Sequence, residues 1–154
     1  MSETEKRSFG AWMPSEASAF IEKFEGRRLS AYRCPADVWT IGVGHTEGVK
    51  EGDTCTDAQA DAWLEKDIAT AQRYLARYVN VPVTRGQFVA LVSLAFNVGA
   101  SYVVRKCPRL MRAVNEGDIE EAARQFLDID KANGVPVKGL TRRRREESEL
   151  FAEN

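Results

Sequence analysis

The fold is decided in the stretch Phe24-Glu-Gly-Arg-Arg-Leu-Ser-Ala-Tyr-Arg-Cys34-Pro-Ala-Asp-Val-Trp-Thr40-Ile-Gly-Val-Gly-His-Thr46. Glu25 stands where an apolar-faced helix runs out, and Gly26 supplies the left-handed stop that helices favour just past their end. Two short extended runs follow, Arg28 to Tyr32 and Val38 to Gly42. Between them Cys34-Pro35-Ala36-Asp37 has turn composition. A carboxylate at a helix end is thus followed by a hairpin that folds back near it. Such a hairpin would carry Cys34 and Thr40 on one side of a cleft, facing Glu25.

That arrangement suits cleavage of a sugar–sugar bond. The reaction needs a group that holds its proton near neutral pH and passes it to the leaving oxygen. It also needs a second group that steers or activates a water, or attacks directly. Phe24 and the underside of a hairpin would strip solvent from Glu25, and desolvation favours the protonated carboxyl. Thr40 offers a hydroxyl that donates and accepts at once, suited to holding a water.

Outward from this stretch the chain reads as helices. Pro14 and Ser15 open the first, with Phe20, Ile21 and Phe24 on its apolar face. Thr56 and Gln59 have capping-box spacing and begin a second helix running to about Tyr78, long enough to join two lobes. Thr84 and Gln87 repeat the box ahead of Phe88 to Val98, which is apolar nearly all round and reads as a buried central helix ended by Gly99. A short helix spans Pro108 to Val114. Asp118 with Glu121 caps the next, Lys131 to Lys138 is a loop, and Thr141 caps a last helix through Phe151. Residues 1–12 are expected to be a flexible lead and residues 13–154 a single domain. The expected class is α+β and mainly helical: a small sheet lobe and a larger helical lobe with a cleft between them.

The 154 residues suffice for one domain with a real core. A net charge of −1 gives no global attraction to nucleic acid or to a membrane surface, so any attraction to an anionic polymer must be local. Three cysteines, Cys34, Cys55 and Cys107, are an odd number and do not form a disulfide framework. They are also too scattered for a CxxC metal site, and no metal or cofactor is expected. The first twelve residues lack the apolar centre of a signal peptide, and no apolar run approaches the ~18 residues that span a bilayer.

Glu25, eight residues, Cys34, five residues, Thr40, set within Phe-Glu-Gly…Ala-Tyr…Trp-Thr-Ile-Gly-x-Gly-His-Thr, resembles the catalytic signature of the phage-type lysozymes, glycoside hydrolase family 24. The family's second position is Asp or Cys. The resemblance continues through Phe96-Asn97-Val98-Gly99 and Lys138-Gly139-Leu140-Thr141-Arg142-Arg143-Arg144, and so covers roughly residues 14 to 152. It implies a lysozyme-like fold and a muramidase acting on the β-1,4 bond between N-acetylmuramic acid and N-acetylglucosamine of bacterial peptidoglycan. It also implies a role in host lysis as a monomeric endolysin, held in the host cytoplasm and dependent on a holin to reach the periplasmic wall. Two other products of the same cleft stay open: an inactive peptidoglycan-binding module, and a lytic transglycosylase.

The resemblance makes Glu25 the general acid, with Cys34 and Thr40 completing the catalytic set. A neutral thiol is a poor base, since its ordinary pKa leaves a minority of thiolate at pH 7. Three roles are open to Cys34: holding the water, acting as a thiolate base, or attacking the sugar. Gly44, His45, Asn97 and Arg143 form the expected substrate-binding set. The competing role of His45 is a structural hydrogen bond beside the cleft, and that of Asn97 is an ordinary helix-end polar group. The run Arg142 to Arg145 cannot share one helix face. By analogy Arg143 is the expected partner of Glu25, with Arg142 second, and the remaining arginines are expected to be solvated beside Glu146, Glu147 or Glu149.

Overall fold

The computed structural model describes residues 4–153. The first α-helix, α1 (Ser18–Glu25), is entered through a 3₁₀ turn, Pro14–Ala17, and stops at Gly26, whose N–H donates to the Glu22 carbonyl at 2.8 Å. The chain then turns back as the antiparallel pair β2 (Arg28–Arg33) and β3 (Trp39–Gly42), in which Tyr32 lies opposite Thr40 and Arg33 opposite Trp39. The turn forms as its composition predicts: the Asp37 N–H donates to the Cys34 carbonyl at 2.8 Å, and the Cys34 N–H to the Val38 carbonyl at 3.0 Å. Residues 53–55 run along the far edge of β2, where the Cys55 N–H donates to the Leu29 carbonyl at 2.9 Å. This is the small lobe.

Helix α2 (Asp57–Ala76) leads out of it, started by the Thr56–Gln59 box: the Gln59 N–H donates to the Thr56 hydroxyl and the Gln59 side chain accepts from the Thr56 N–H. Arg27 locks the junction. Its guanidinium reaches Glu22 on α1 at 2.9 Å, Asp57 at 3.0 Å and Asp61 at 2.5 Å, the latter two on the first turns of α2.

The large lobe is built round α3 (Arg85–Val98), with the Thr84–Gln87 box at its start and an unbroken buried stretch from Gln87 to Ala95. Each fully buried Phe or Leu of this kind contributes about 1.5–3 kcal/mol. The C-terminal helix, here α7 (Lys138–Ala152), lies along it. The approach is close: a Cβ on Gly86 would stand 2.6 Å from the Leu150 carbonyl, so only glycine fits there. Helices α4 (Ala100–Lys106), α5 (Pro108–Glu116) and α6 (Ile119–Leu127) complete the lobe. No single described helix is long and apolar enough to cross a membrane.

The fold is α+β and mainly helical, as the sequence predicts, with four local differences. Residues 6–12 are built into the large lobe rather than forming a flexible lead. Strand β1 (Lys6–Arg7) pairs with β4 (Val83–Thr84), and Phe9 and Trp12 pack against Phe88 at ring separations of 5.2 and 6.3 Å. The Gln72 amide bonds the carbonyls of Phe9 and Trp12, satisfying backbone that burial would otherwise leave unpaired. Residues 1–3 of the expected lead lie outside the described residues. Gly99 ends α3 as expected, but the chain continues at 99° straight into α4, a helix the sequence does not predict. The 131–138 loop contains a small antiparallel pair, β5 (Lys131–Ala132) with β6 (Val135–Pro136). Finally, α7 starts at Lys138, so Thr141 is not its cap; its hydroxyl donates to Asp130 at 2.7 Å.

Candidate active site

Helix α1 delivers the Glu25 carboxylate to the junction of the lobes, with its side chain 21 % exposed. One oxygen, Oε2, accepts from Nη1 of Arg143 at 2.5 Å. The other, Oε1, faces Gly44: a Cβ built there would stand 2.8 Å from Oε1 and 3.1 Å from the Phe96 ring. Gly44 also has φ +65°, so both space and backbone demand glycine at this position.

On the hairpin, Tyr32 and Thr40 are directly opposed, which puts their side chains on one face, and Cys34, two residues beyond Tyr32, shares that face. Negative charge links this face to the acid. The Tyr32 phenol titrates above its ordinary range, first because of burial and then because of Glu25, with Cys34 adding to the effect. Tyr32 is therefore within electrostatic reach of both the carboxylate and the thiol. Its role had no signal in the sequence beyond its place in the Ala-Tyr pair.

The Cys34 thiol is held below its usual pKa, chiefly by the Val38 backbone N–H, then by the Thr40 hydroxyl and the Ala36 N–H, against the opposing pull of desolvation. Arg33 is not the cause: its guanidinium pairs with Asp37 at 3.0 Å and lies over the Trp39 ring. Thr40 is buried, and its hydroxyl donates to the Val38 carbonyl at 2.9 Å. Because it carries a single proton, it can serve the thiol only by releasing that carbonyl, and while it donates there its lone pairs remain free to accept from a water.

The helical side of the site is a buried charge cluster. Arg143 is 4 % exposed; Arg144 and Glu147 are fully enclosed. The Arg144 Nε approaches Glu147 Oε1 to 2.8 Å, although the angle is too poor to count as a hydrogen bond and leaves Arg144 Nε and Nη1 without one. Burial pushes the Glu147 carboxyl up, opposed first by the charge of Arg144 and then by the Ser93 hydroxyl, which donates to it at 2.6 Å.

Of the residues expected in the site, Glu25, Gly44 and Arg143 are brought into contact, and Cys34 and Thr40 share the hairpin face. Asn97 is beside them but engaged: its Oδ1 accepts from Arg144 at 2.7 Å, leaving the amide N–H groups for other partners. His45 stands behind the groove rather than on it. It is 5 % exposed, pairs with Asp67 at 2.7 Å and stacks on Trp63 at 4.7 Å, pinning the Ile41–His45 turn to α2. The second choice for Glu25's partner, Arg142, is exposed and pairs with Glu146.

Two expectations about the arginine run are overturned. Arg144 is not solvated, and Glu147 is not a surface partner; both are core groups. Two signals could have found them: the i to i+4 spacing from Arg143 to Glu147, and Ser93 as the lone polar residue between Phe88 and Phe96.

Beside Glu25 a groove of about 310 Å³ extends along Gly44, Thr46, Asp67, Tyr74 and Phe96. A larger concavity of about 670 Å³ lies between Trp12 and α2 and contains none of these catalytic candidates. The smaller groove is not lined by Glu25, Cys34 or Thr40 either, but it shares Gly44 and Phe96 with the surroundings of Glu25 Oε1. Among the described residues no three His, Cys, Asp or Glu side chains are grouped to hold a metal ion. The arrangement can deliver a proton from a half-buried carboxyl to a ligand in an open groove and hold a water on a hydroxyl and a thiol.

The chain matches the family described as Phage lysozyme over residues 22–147. It is similar to an endolysin of Acyrthosiphon pisum secondary endosymbiont phage 1, with 40 % identity over 135 residues, covering 85 % of this chain and 91 % of that protein. Among solved structures it is similar to the muramidase domain of SpmX from Asticaccaulis excentricus, with TM-score 0.82 and 34 % identity, covering 93 % of this chain and 99 % of the other. It is also similar to the active form of the P1 phage endolysin Lyz, with TM-score 0.78 and 31 % identity, covering 88 % and 82 %. The half-buried acid, the hairpin and these likenesses agree: the chain belongs to the phage lysozyme family and is a lysozyme-type hydrolase.

Proposed function

We propose that this enzyme is an endolysin of the glycoside hydrolase family 24 type, with cysteine in the second catalytic position. It hydrolyses the β-1,4 bond between N-acetylmuramic acid and N-acetylglucosamine in peptidoglycan during host lysis. Glu25 protonates the bridging oxygen through Oε1, while Cys34 and Thr40 hold the attacking water on the opposite face, giving inversion. Gly44 and the Asn97 amide border the bound sugar. The route to the wall is release from the host cytoplasm when a holin opens the membrane, and the enzyme acts as a monomer. The observation that carries the reading is the division of labour at Glu25, one oxygen held by Arg143 and the other turned toward Gly44 and Phe96. The similar endolysins and muramidase domain support the choice of substrate.

The test is digestion of purified peptidoglycan by wild type and Glu25→Gln, with products read by mass spectrometry. Wild type is expected to release reducing-end muramic acid, and the variant to lose about 10²–10⁴-fold in rate. An undiminished Glu25→Gln enzyme would overturn the assignment of the acid. An anhydro-muramic product would replace hydrolysis by transglycosylation.

A further inference from the structure

We propose that Glu147 and Ser93, which do not reach the groove, are positioning residues for the acid: they hold the Arg143 guanidinium so that one nitrogen alone grips Glu25, leaving Oε1 free to carry and deliver the proton. A guanidinium is a flat fork of donors that readily takes both oxygens of a carboxylate. A two-pronged grip on Glu25 would occupy both oxygens and favour the ionised form, the wrong form for an acid.

Here the other donors are already committed. Arg143 Nε meets Glu147 Oε2 at 3.3 Å and the Ser93 hydroxyl at 3.4 Å. Nη2 donates to the Ser93 carbonyl at 3.1 Å and approaches its hydroxyl at 3.3 Å. Only Nη1 is left for Glu25. Ser93 and Glu147 are fully buried, so neither can release the fork by swinging into solvent.

The charges make the same case. Arg143 and Arg144 are permanently cationic. While Glu25 is ionised, two carboxylates pair with them; once Glu25 takes its proton, Glu147 is the one charged carboxylate among the described residues still paired with either. The other titratable groups are farther out or already paired. On the hairpin side Tyr32 lies within electrostatic reach of Glu25 and of Cys34, Lys23 pairs with Glu146 at the outer edge of α7, and Cys107 and Asp130 act on Arg144. Glu147 thus supplies the counter-charge for both guanidinium groups whenever Glu25 carries the proton it is to deliver.

This inference rests on Glu25 being the acid. The test uses Glu147→Gln, which keeps the size and an acceptor for Nε but removes the charge. On peptidoglycan, kcat at pH 7 is expected to fall about tenfold with KM within about twofold, and the alkaline limb of the kcat–pH profile to move about one unit lower. The limb position does not depend on how much protein is folded, so a merely structural role would not move it. Because Arg144 would be left buried without its partner, Arg144→Met/Glu147→Gln is measured in parallel; removing both charges spares the fold while still taking the carboxylate charge away from Arg143. A limb at the wild-type pH in folded variants, with activity lost only in proportion to folded protein, overturns the proposal. If Glu25→Gln is itself active, the acid assignment fails. If Glu25→Gln is dead and the limb stays put, only the present inference fails.

Discussion

The two sides of the catalytic groove are built on opposite principles. On the hairpin side, Cys34 and Thr40 are organised by near neighbours, the Val38 carbonyl and the Val38 and Ala36 N–H groups, all within four residues. On the helical side, Glu25 is held by Arg143 across a separation of 118 residues, and Arg143 by Ser93 across 50. In the proposed mechanism the hairpin groups handle water. The acid needs weakened solvation and a fixed orientation, and both come from a desolvated charge cluster that only the finished fold assembles. A local turn is cheap to form and tolerant of change, whereas a buried ion cluster is neither.

Substitutions at three positions probe that contrast. The largest effect is expected from Glu147→Ala, which leaves Arg144 enclosed without a counter-charge; denaturant unfolding should report a loss of about 3–5 kcal/mol. A loss near zero would mean that the helical side is not held by charge. Next comes Cys34→Ala, whose unfolding free energy should stay within about 0.5 kcal/mol of wild type while lytic activity falls about 10²-fold. Cys34→Asp should keep most of the activity and an inverted product anomer, read by nuclear magnetic resonance. A retained anomer in the wild type would instead indicate direct attack by sulfur.

The smallest effect is expected from Thr141→Val. Asp130 titrates below its ordinary range, first because the Thr141 hydroxyl donates to it and then because of Lys131. A carboxyl depressed in the folded state contributes stability above its unfolded pKa and loses it as pH falls through the folded value. Thr141→Val should therefore lower Tm slightly at pH 7, with the difference shrinking as pH falls below the ordinary carboxyl range. A difference that persists in acid would assign the effect to packing.

The same contrast explains what could be read from the chain. The boxes at Thr56–Gln59 and Thr84–Gln87 and the turn at Cys34–Asp37 are short-range patterns, and each appears where the residues predict it. Phe9 and Trp12 looked like part of a flexible lead because the partners that bury them, Gln72 and Phe88, lie more than fifty residues away. Helix α4 was missed because the Gly99 bend resembles a stop. Arg144 and Glu147 were read as solvated because a charge run usually is; nothing local reports that α3 presents Ser93 and Asn97 to them. His45 carried the chemistry of a catalytic group but spends it on Asp67 and Trp63.

Arg27 has a consequence for how the enzyme responds to ionic strength. It is the fastening between the helix that bears the acid and the helix that leaves the hairpin lobe, and two of its three carboxylate partners, Asp57 and Asp61, are largely exposed. Dissolved salt screens such outward-facing pairs while leaving enclosed ones nearly untouched. Raising the salt concentration therefore loosens the alignment of the hairpin against Glu25 without melting the core, so brine acts on the geometry of the site before it acts on the fold.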